Sequence, residues 1–509
     1  MRCDSVKHLK SRTLWPPLLA LLGALIVPAV GAAVSGPPAD AILSEIAHSP
    51  TLERNVRMLC DEIGARPAGS AALERAAQWA AQAFREAGAD DVAIESFEIP
   101  RTWREIKTAV KLIAPAEFSA DAAATAFSPS TPAGGISAEI IDAGGGEAGR
   151  IRRLGETARG KILLVRLREA KTFYGLGVEQ RNAIQAMQEA AEVGAAALLY
   201  ASTRANGLLY RHIHSVDGSL DPLPSAVLAR EDALRIARLL EGGREVRAHL
   251  DIRNEIGGPA KSWNVVAELR GEESPEESVI LGAHLDSWDM GSGCLDNGVN
   301  VALVIESLRA IAASGGRPRR TLKFALFGAE EQGLLGSRAY VAQHRAELDD
   351  VTAVLVHDMG LGPIEGYSLS GRGELEPRLR LAMSAIAGRA DRHSAEAFFG
   401  SDHFDFLLEG VPALVALQDT TDYVLPYHSE VDTFDRVSIA ALKDRTSIAA
   451  ATAFGLADLP ERFGERLDRE EVEALLERTS VDDQMQFLGL WDEWVSGERG
   501  REKEALPAP

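Results

Sequence analysis

The chain has 509 residues, too many for one ordinary domain, and 46% of them are hydrophobic, enough for a sizeable core. Its formal net charge is −21. That excludes nucleic acid as a main partner, because phosphate binding wants a basic face. Otherwise the acidic balance means little beyond solubility.

The first segment reads as an export leader. Arg2, Lys7, Lys10 and Arg12 give a basic start, and Leu14 to Val30 is an apolar run broken by Pro16, Pro17 and Pro28. Small residues follow at Gly31, Ala32 and Ala33. A single membrane anchor is the competing reading, and the prolines and the small-residue site favour cleavage. The expectation is a signal peptide over 1–33 and a periplasmic or secreted protein with no stable membrane anchor after cleavage. Cys3 would leave with the leader. Cys60 and Cys294 then remain; they can pair, but two cysteines are not a disulfide framework.

Residues 38–63 and 70–88 read as helices. In the second, Ala72, Leu73, Ala76, Trp79, Ala80, Ala83 and Phe84 recur at helical spacing. The turn "IGARPAGS" joins them, with Ser70 as a capping residue. "VAIESFEIP" (92–100) reads as a strand. Between 106 and 257 the character changes. "GKILLVRL" and "AAALLYAS" are short apolar strands around an amphipathic helix at 179–193. No cluster of His, Asp or Glu stands out there, so the stretch reads as an inserted β-rich domain without chemistry of its own.

From 262 onward strands and helices alternate. "WNVVAEL", "SVILGAHL", "TLKFALFGA", "TAVLVHDM" and "PALVALQD" are strand-length apolar runs, with helices near 297–313, 334–346 and 375–389. This predicts an α/β fold whose mixed, mainly parallel sheet carries helices on both faces. Sites in such sheets lie at the carboxyl ends of strands. The charged helical tail, 461–509, shows no site and suits packing or a dimer contact.

Polar residues gather at those strand ends. His284 and Asp286 end "SVILGAHL", two residues apart and so on one face of an extended chain. The loop "DMGSG" allows a tight fold back to Asp296. Glu330 and Glu331 end the next strand, His357 and Asp358 another, and "YHSEVDT" brings His428 from a loop. Taken singly, each has an ordinary role as a cap or a surface acid. Together, this many buried acids need a cation. Imidazole with carboxylate suits zinc, and one bridging carboxylate would make a paired hydrolytic site.

The set H-x-D, L-D-N-G, G-A-E-E-Q-G, D and Y-H-S-x-x-D-T resembles the di-zinc exopeptidase family of secreted bacterial aminopeptidases and plasma glutamate carboxypeptidase. "HLDSWDMGSG", "AEEQG" and the opening "IGARPAGS" look closest to the latter branch. The resemblance spans roughly 38–460. It implies two Zn²⁺ ions: His284 and Asp358 on one, Glu331 and His428 on the other, with Asp296 bridging. It also implies Glu330 as general base and Asp286 as the acid orienting His284. The implied layout is a catalytic domain of 34–105 and 258–460, a protease-associated-like domain at 106–257, and a C-terminal helical extension at 461–509. The expected substrate is a peptide or dipeptide, cleaved at a chain end by an aminopeptidase or a carboxypeptidase/dipeptidase. Relatives suggest a homodimer. A non-catalytic receptor or binding module on the same fold is the alternative.

Some residues stay open. Tyr423 or Tyr427 would donate to the oxyanion or merely pack. Asp402, in "FFGSDHFDF", would read substrate or cap a helix. Trp288 would line the cleft or pack in the core. His357 reads as structural, and Cys294 reads as a small buried thiol rather than a ligand.

Overall fold

The computed structural model describes residues 37–502. The leader expected at 1–33, with Cys3, lies outside the described residues. Among the described residues, no helix is long and apolar enough to cross a membrane.

Seven strands build the sheet that carries the site. Their order is Asp91–Ile99, Ala260–Leu269, Arg320–Phe327, Ser274–His284, Val351–Val356, Ala413–Gln418, Ile364–Ser368. The central four run parallel, and the outer pairings on both sides are antiparallel. The sheet is therefore mixed, with as many antiparallel as parallel pairings rather than mainly parallel. The correction comes from the flanking strands, whose direction no apolar run reveals. Residues 279–283 and 353–356 are fully buried because helices cover both faces. Helix Val299–Ala313 is buried along nearly its whole length. It packs against Ala71–Ala87 and Ile439–Ala457, so its sequence is apolar all round rather than on one stripe.

A second sheet has eight strands, from Trp103–Ala114 to Arg247–Ile256 in the chain, with helices Phe173–Val193 and Arg230–Glu241 beside it. The first helix begins earlier than the amphipathic pattern at 179–193 indicates, because Thr172 caps it by accepting from the Gly175 N–H. The C-terminal end adds three helices, Arg469–Thr479, Val481–Leu488 and Trp491–Ser496. They are fastened to helix His403–Leu408, beside the seven-stranded sheet, by a bidentate Arg499–Asp405 pair at 2.8 and 3.1 Å.

Other boundaries also differ from expectation. The helix expected over 38–63 breaks after Ala47, at His-Ser-Pro-Thr. Pro50 disfavours helix for the residue before it, and the Ser49 hydroxyl accepts the Thr51 and Leu52 N–H groups to start a new helix. The helix near 375–389 is short, Glu376–Ala382, followed by a single 3₁₀ turn at Ser384–Ile386. Cys60 and Cys294 form a disulfide, the pairing that the sequence leaves open, so Cys294 is buried as a disulfide sulfur rather than as a thiol.

Candidate metal centre

The carboxyl ends of three parallel strands, a helix start and one loop converge. His284 closes its strand, Glu330 and Glu331 follow Arg320–Phe327, and Asp358 follows Val351–Val356. Nε2 of His284 lies 2.9 Å from Oδ1 of Asp358 and 3.2 Å from Oδ1 of Asp296. Nε2 of His428 lies 3.0 Å from Oε2 of Glu331 and 3.5 Å from Oδ2 of Asp296. The two oxygens of Asp296 thus face different histidines. Ligand atoms of His284, Asp296 and Glu331 lie within 4.8 Å of one another, as do those of His284, Glu330 and Asp358.

The electrostatics are those of a site that suits a cation. Asp296 Oδ2 and Glu331 Oε1 are buried without a hydrogen-bond partner, an arrangement that is costly unless something positive meets them. Burial, with the charges of Asp358, Glu331 and Asp402, pushes Glu330 well above the usual carboxyl range against the pull of His284. Glu331 is raised in the same way, by burial and then Asp296. Burial opposes charge on His284, but Asp358 and contacts to Asp286 and Asp296 outweigh it and lift its pKa. Burial holds His428 down, to about 4, so its imidazole is neutral and able to ligate. Nitrogen and oxygen donors in this number fit zinc, and a divalent ion reverses the carboxyl shifts.

Asp286 sits differently from expectation. Its carboxylate is 3.6 Å from His284 Nδ1, too far for a hydrogen bond, and that nitrogen instead donates to the Asp286 carbonyl at 3.1 Å. The carboxylate accepts the N–H groups of Glu330 and Glu331 at 3.1 and 3.3 Å. One residue thus fixes a histidine through its backbone and two glutamates through its side chain.

Two further positioning groups escape sequence reading. Fully buried Arg66, from "IGARPAGS", donates to the carbonyls of Gly64, Leu285, Ser292 and Gly293. It pins the loop that returns the chain to Asp296. Gly293 is required there: its φ is +64° and a Cβ would stand 2.3 Å from Ser287. Asp432 accepts from the N–H groups of Leu295 and Asp296 at 2.6 and 3.2 Å. Its place in "YHSEVDT" was the only signal.

The expected substrate residues divide. Tyr423 is buried and lines the recess above the site, with Phe173 stacked on it at 6.0 Å. Tyr427 lines it too, its ring stacked 3.7 Å from that of His428. Asp402 is wholly buried and does not line the recess, so direct substrate contact is corrected; it stands at a helix N-cap position, but its side chain makes no cap hydrogen bond. Trp288 is buried, edge-on to His428 at 6.2 Å. His357 is buried with both ring nitrogens unpartnered, and burial lowers its pKa to about 3.

The stretch 106–257 does hold a polar cluster, contrary to the reading from sequence. Glu179 pairs with Arg204 at 2.6 Å and faces His212 at 3.5 Å, and His214 pairs with Asp221 at 2.7 Å. "YRHIHSVDG" was the overlooked signal. The same segment braces the metal end. The Arg211 N–H donates to the His428 carbonyl at 2.9 Å, and Arg204 to that of Tyr427 at 3.2 Å. His428 needs such support, because its φ of +58° lies in the left-handed region. Arg211 also grips Asp289 at 2.6 Å and Glu105 at 2.6 Å.

Residues 264–453 match the model of peptidase family M28. The chain is 29% identical over 406 residues to Carboxypeptidase Q of Mus musculus, covering 79% of this chain and 85% of that one. A peptidase M28 precursor from Shewanella amazonensis superposes with a TM-score of 0.76 at 27% identity, over 84% of this chain and 98% of its own. A zinc aminopeptidase from Bacillus subtilis shares the fold at a TM-score of 0.64 and 20% identity, over 81% and 98% of the two chains. The convergent ligand set and these likenesses together lead to one conclusion: residues 264–453 form a domain that matches peptidase family M28, and the chain is a zinc-dependent exopeptidase.

Proposed function

We propose that this enzyme is an exported di-zinc aminopeptidase that removes residues from the free-amine end of peptides. The observation that carries the reading is the Asp296 carboxylate turned toward two histidines, beneath a recess whose described lining holds acids but no lysine or arginine. His284, Asp358 and Asp296 would hold one ion, and Glu331, His428 and Asp296 the other. When bound, zinc makes water nucleophilic near neutral pH and polarises a carbonyl. Glu330 takes the proton of the attacking water and passes it to the leaving amine. Asp286 keeps His284 and the Glu330–Glu331 segment in register, and Tyr423 is the candidate donor to the developing oxyanion. Residues 34–105 and 258–460 would supply the chemistry, and 106–257 the brace behind His428. The leader at 1–33 would send the protein to the periplasm or outside the cell.

The preference for an amine rests on charge. The recess is lined by Asp296, Glu330, Glu331 and Asp358, and no lysine or arginine is among its described lining residues. With two divalent ions bound these four carboxylates are balanced, so the preference rests on the cation that the described lining lacks: no lysine or arginine there would receive a substrate carboxylate. The likeness to Carboxypeptidase Q favours a second reading, a carboxypeptidase or dipeptidase. Arg204 lines the adjoining recess, but Glu179 already neutralises it. A binding module without catalysis is the weakest reading, since every ligand position holds a ligating residue.

The test compares zinc-loaded enzyme on short peptides with free and acetylated amines. Acetylation is expected to lower kcat/KM by about 100-fold, the value of a lost charge-assisted contact. Equal rates on both would overturn the amine reading.

A further inference from the structure

The recess over the metal ligands holds only about 100 Å³, and an adjoining one about 160 Å³. Ligand pockets usually run to ~300–1,000 Å³. A third space of about 810 Å³ opens from them. All three share Phe173, Gln180, Met359 and Phe399, so they form one continuous cleft.

The walls of the large groove come from segments without an assigned task. One wall is helix Phe173–Val193, with Tyr174 83% exposed and Val178 40% exposed. The other includes Phe487 and Leu488 of helix Val481–Leu488, in the C-terminal extension. Gln484 of that helix accepts the Phe399 N–H at 3.1 Å, joining the extension to the loop at the cleft mouth. The Arg181 guanidinium lies over the Phe487 ring at 5.2 Å. An aromatic as exposed as Tyr174 contributes nothing to the core, and an apolar patch of this kind marks a binding surface.

We propose that this groove binds the departing part of a peptide substrate, beyond the scissile bond, and selects apolar and aromatic side chains there. The occupant follows from continuity: the groove opens into the catalytic recess, so what fills it is the chain whose end lies at the metals. The side-chain amides of Gln180 and Gln484 offer hydrogen bonds to a peptide backbone, while the rings take the side chains. The C-terminal extension is then part of the substrate site. The proposal rests on the aminopeptidase reading.

The experiment uses the zinc-loaded full chain on the dipeptide Leu-Leu and the tetrapeptides Leu-Leu-Phe-Phe and Leu-Leu-Asp-Asp. The Phe tetrapeptide is expected to show about tenfold higher kcat/KM than either of the others. Phe487→Ala and Tyr174→Ser should each remove about three- to tenfold of that, through KM, and leave Leu-Leu unchanged. Tyr174 is too exposed for its loss to disturb folding, so it keeps the test decisive if Phe487→Ala melts early. Equal losses on all three substrates, or no preference for Phe over Asp, overturn the groove. Cleavage of Leu-Leu without either tetrapeptide overturns the groove and leaves the aminopeptidase standing. Cleavage of no free-amine peptide overturns both.

Discussion

Two buried clusters of acids and imidazoles lie on either side of His428, and only one asks for a metal. In the second sheet, Glu179 meets Arg204, and His214 meets Asp221, so each buried acid has a partner within the fold. At the strand ends of the first sheet, no arginine or lysine among the described residues forms an ion pair with Asp286, Asp296, Glu330, Glu331 or Asp358; their partners are His284 and His428. Two carboxylate oxygens there stay unpartnered. The first cluster holds more acids than the second, but number alone does not call for a metal. What separates them is whether a guanidinium is built in, because a buried acid must be balanced by something and the protein either supplies that charge or borrows it.

This contrast can be broken by mutation. The largest effect is expected at the borrowing cluster: Glu330→Gln should lower kcat by about 10²–10⁴-fold while zinc content is unchanged. A variant keeping normal turnover would remove Glu330 from the chemistry. In the self-balanced cluster the cost should appear as stability. Arg204→Met strands Glu179, buried with its side chain 4% exposed, and should cost about 3–5 kcal/mol in denaturant unfolding. No loss of stability would mean that Glu179 is balanced some other way.

Smaller effects sharpen the distinction. Asp432→Asn weakens the hold on the Leu295 and Asp296 N–H groups without touching a ligand. Competition with a chelator should then show zinc affinity about 10–100-fold lower. Unchanged affinity would mean that the loop holds itself. The smallest effect belongs to a partly buried pair, where neither metal nor arginine is needed. A hydrogen bond to Glu95 raises the His344 pKa against burial. A raised folded pKa contributes stability below the unfolded value near about 6.5, and the contribution is lost as pH rises through the folded value. His344→Gln should therefore cost under about 1 kcal/mol at about pH 5.5 and nothing at about pH 9. A cost that grew with pH would contradict the sign.

The ligands were legible because a strand ending in His or Asp is a local pattern, and several such ends repeat. The mixed character of the sheet was less so, since strand direction depends on partners far away in the chain. Arg66 and Asp432 were not legible as positioning groups. Arg66 acts on carbonyls more than two hundred residues away, and no periodicity marks a lone arginine in a turn. The short strand Ile364–Ser368 was missed because "IEGYS" has neither an apolar run nor a clear alternation. Asp402 misled because its segment falls where relatives contribute to the substrate pocket, whereas here the chain buries it within reach of the charges of His284 and Asp358. The polar cluster of the inserted stretch was overlooked for the opposite reason. His212, His214 and Asp221 come together only when the loop after Ala197–Ala201 closes on the helix carrying Glu179.

Anomalous diffraction at the zinc edge from zinc-loaded crystals tests the central claim most directly. The account predicts two peaks, one between His284 and Asp358 and one between His428 and Glu331, with Asp296 touching both. It also predicts no peak at His212 and His214. A single peak that leaves Asp296 Oδ2 without a metal, or zinc seated at the guanidinium-balanced cluster, would contradict it.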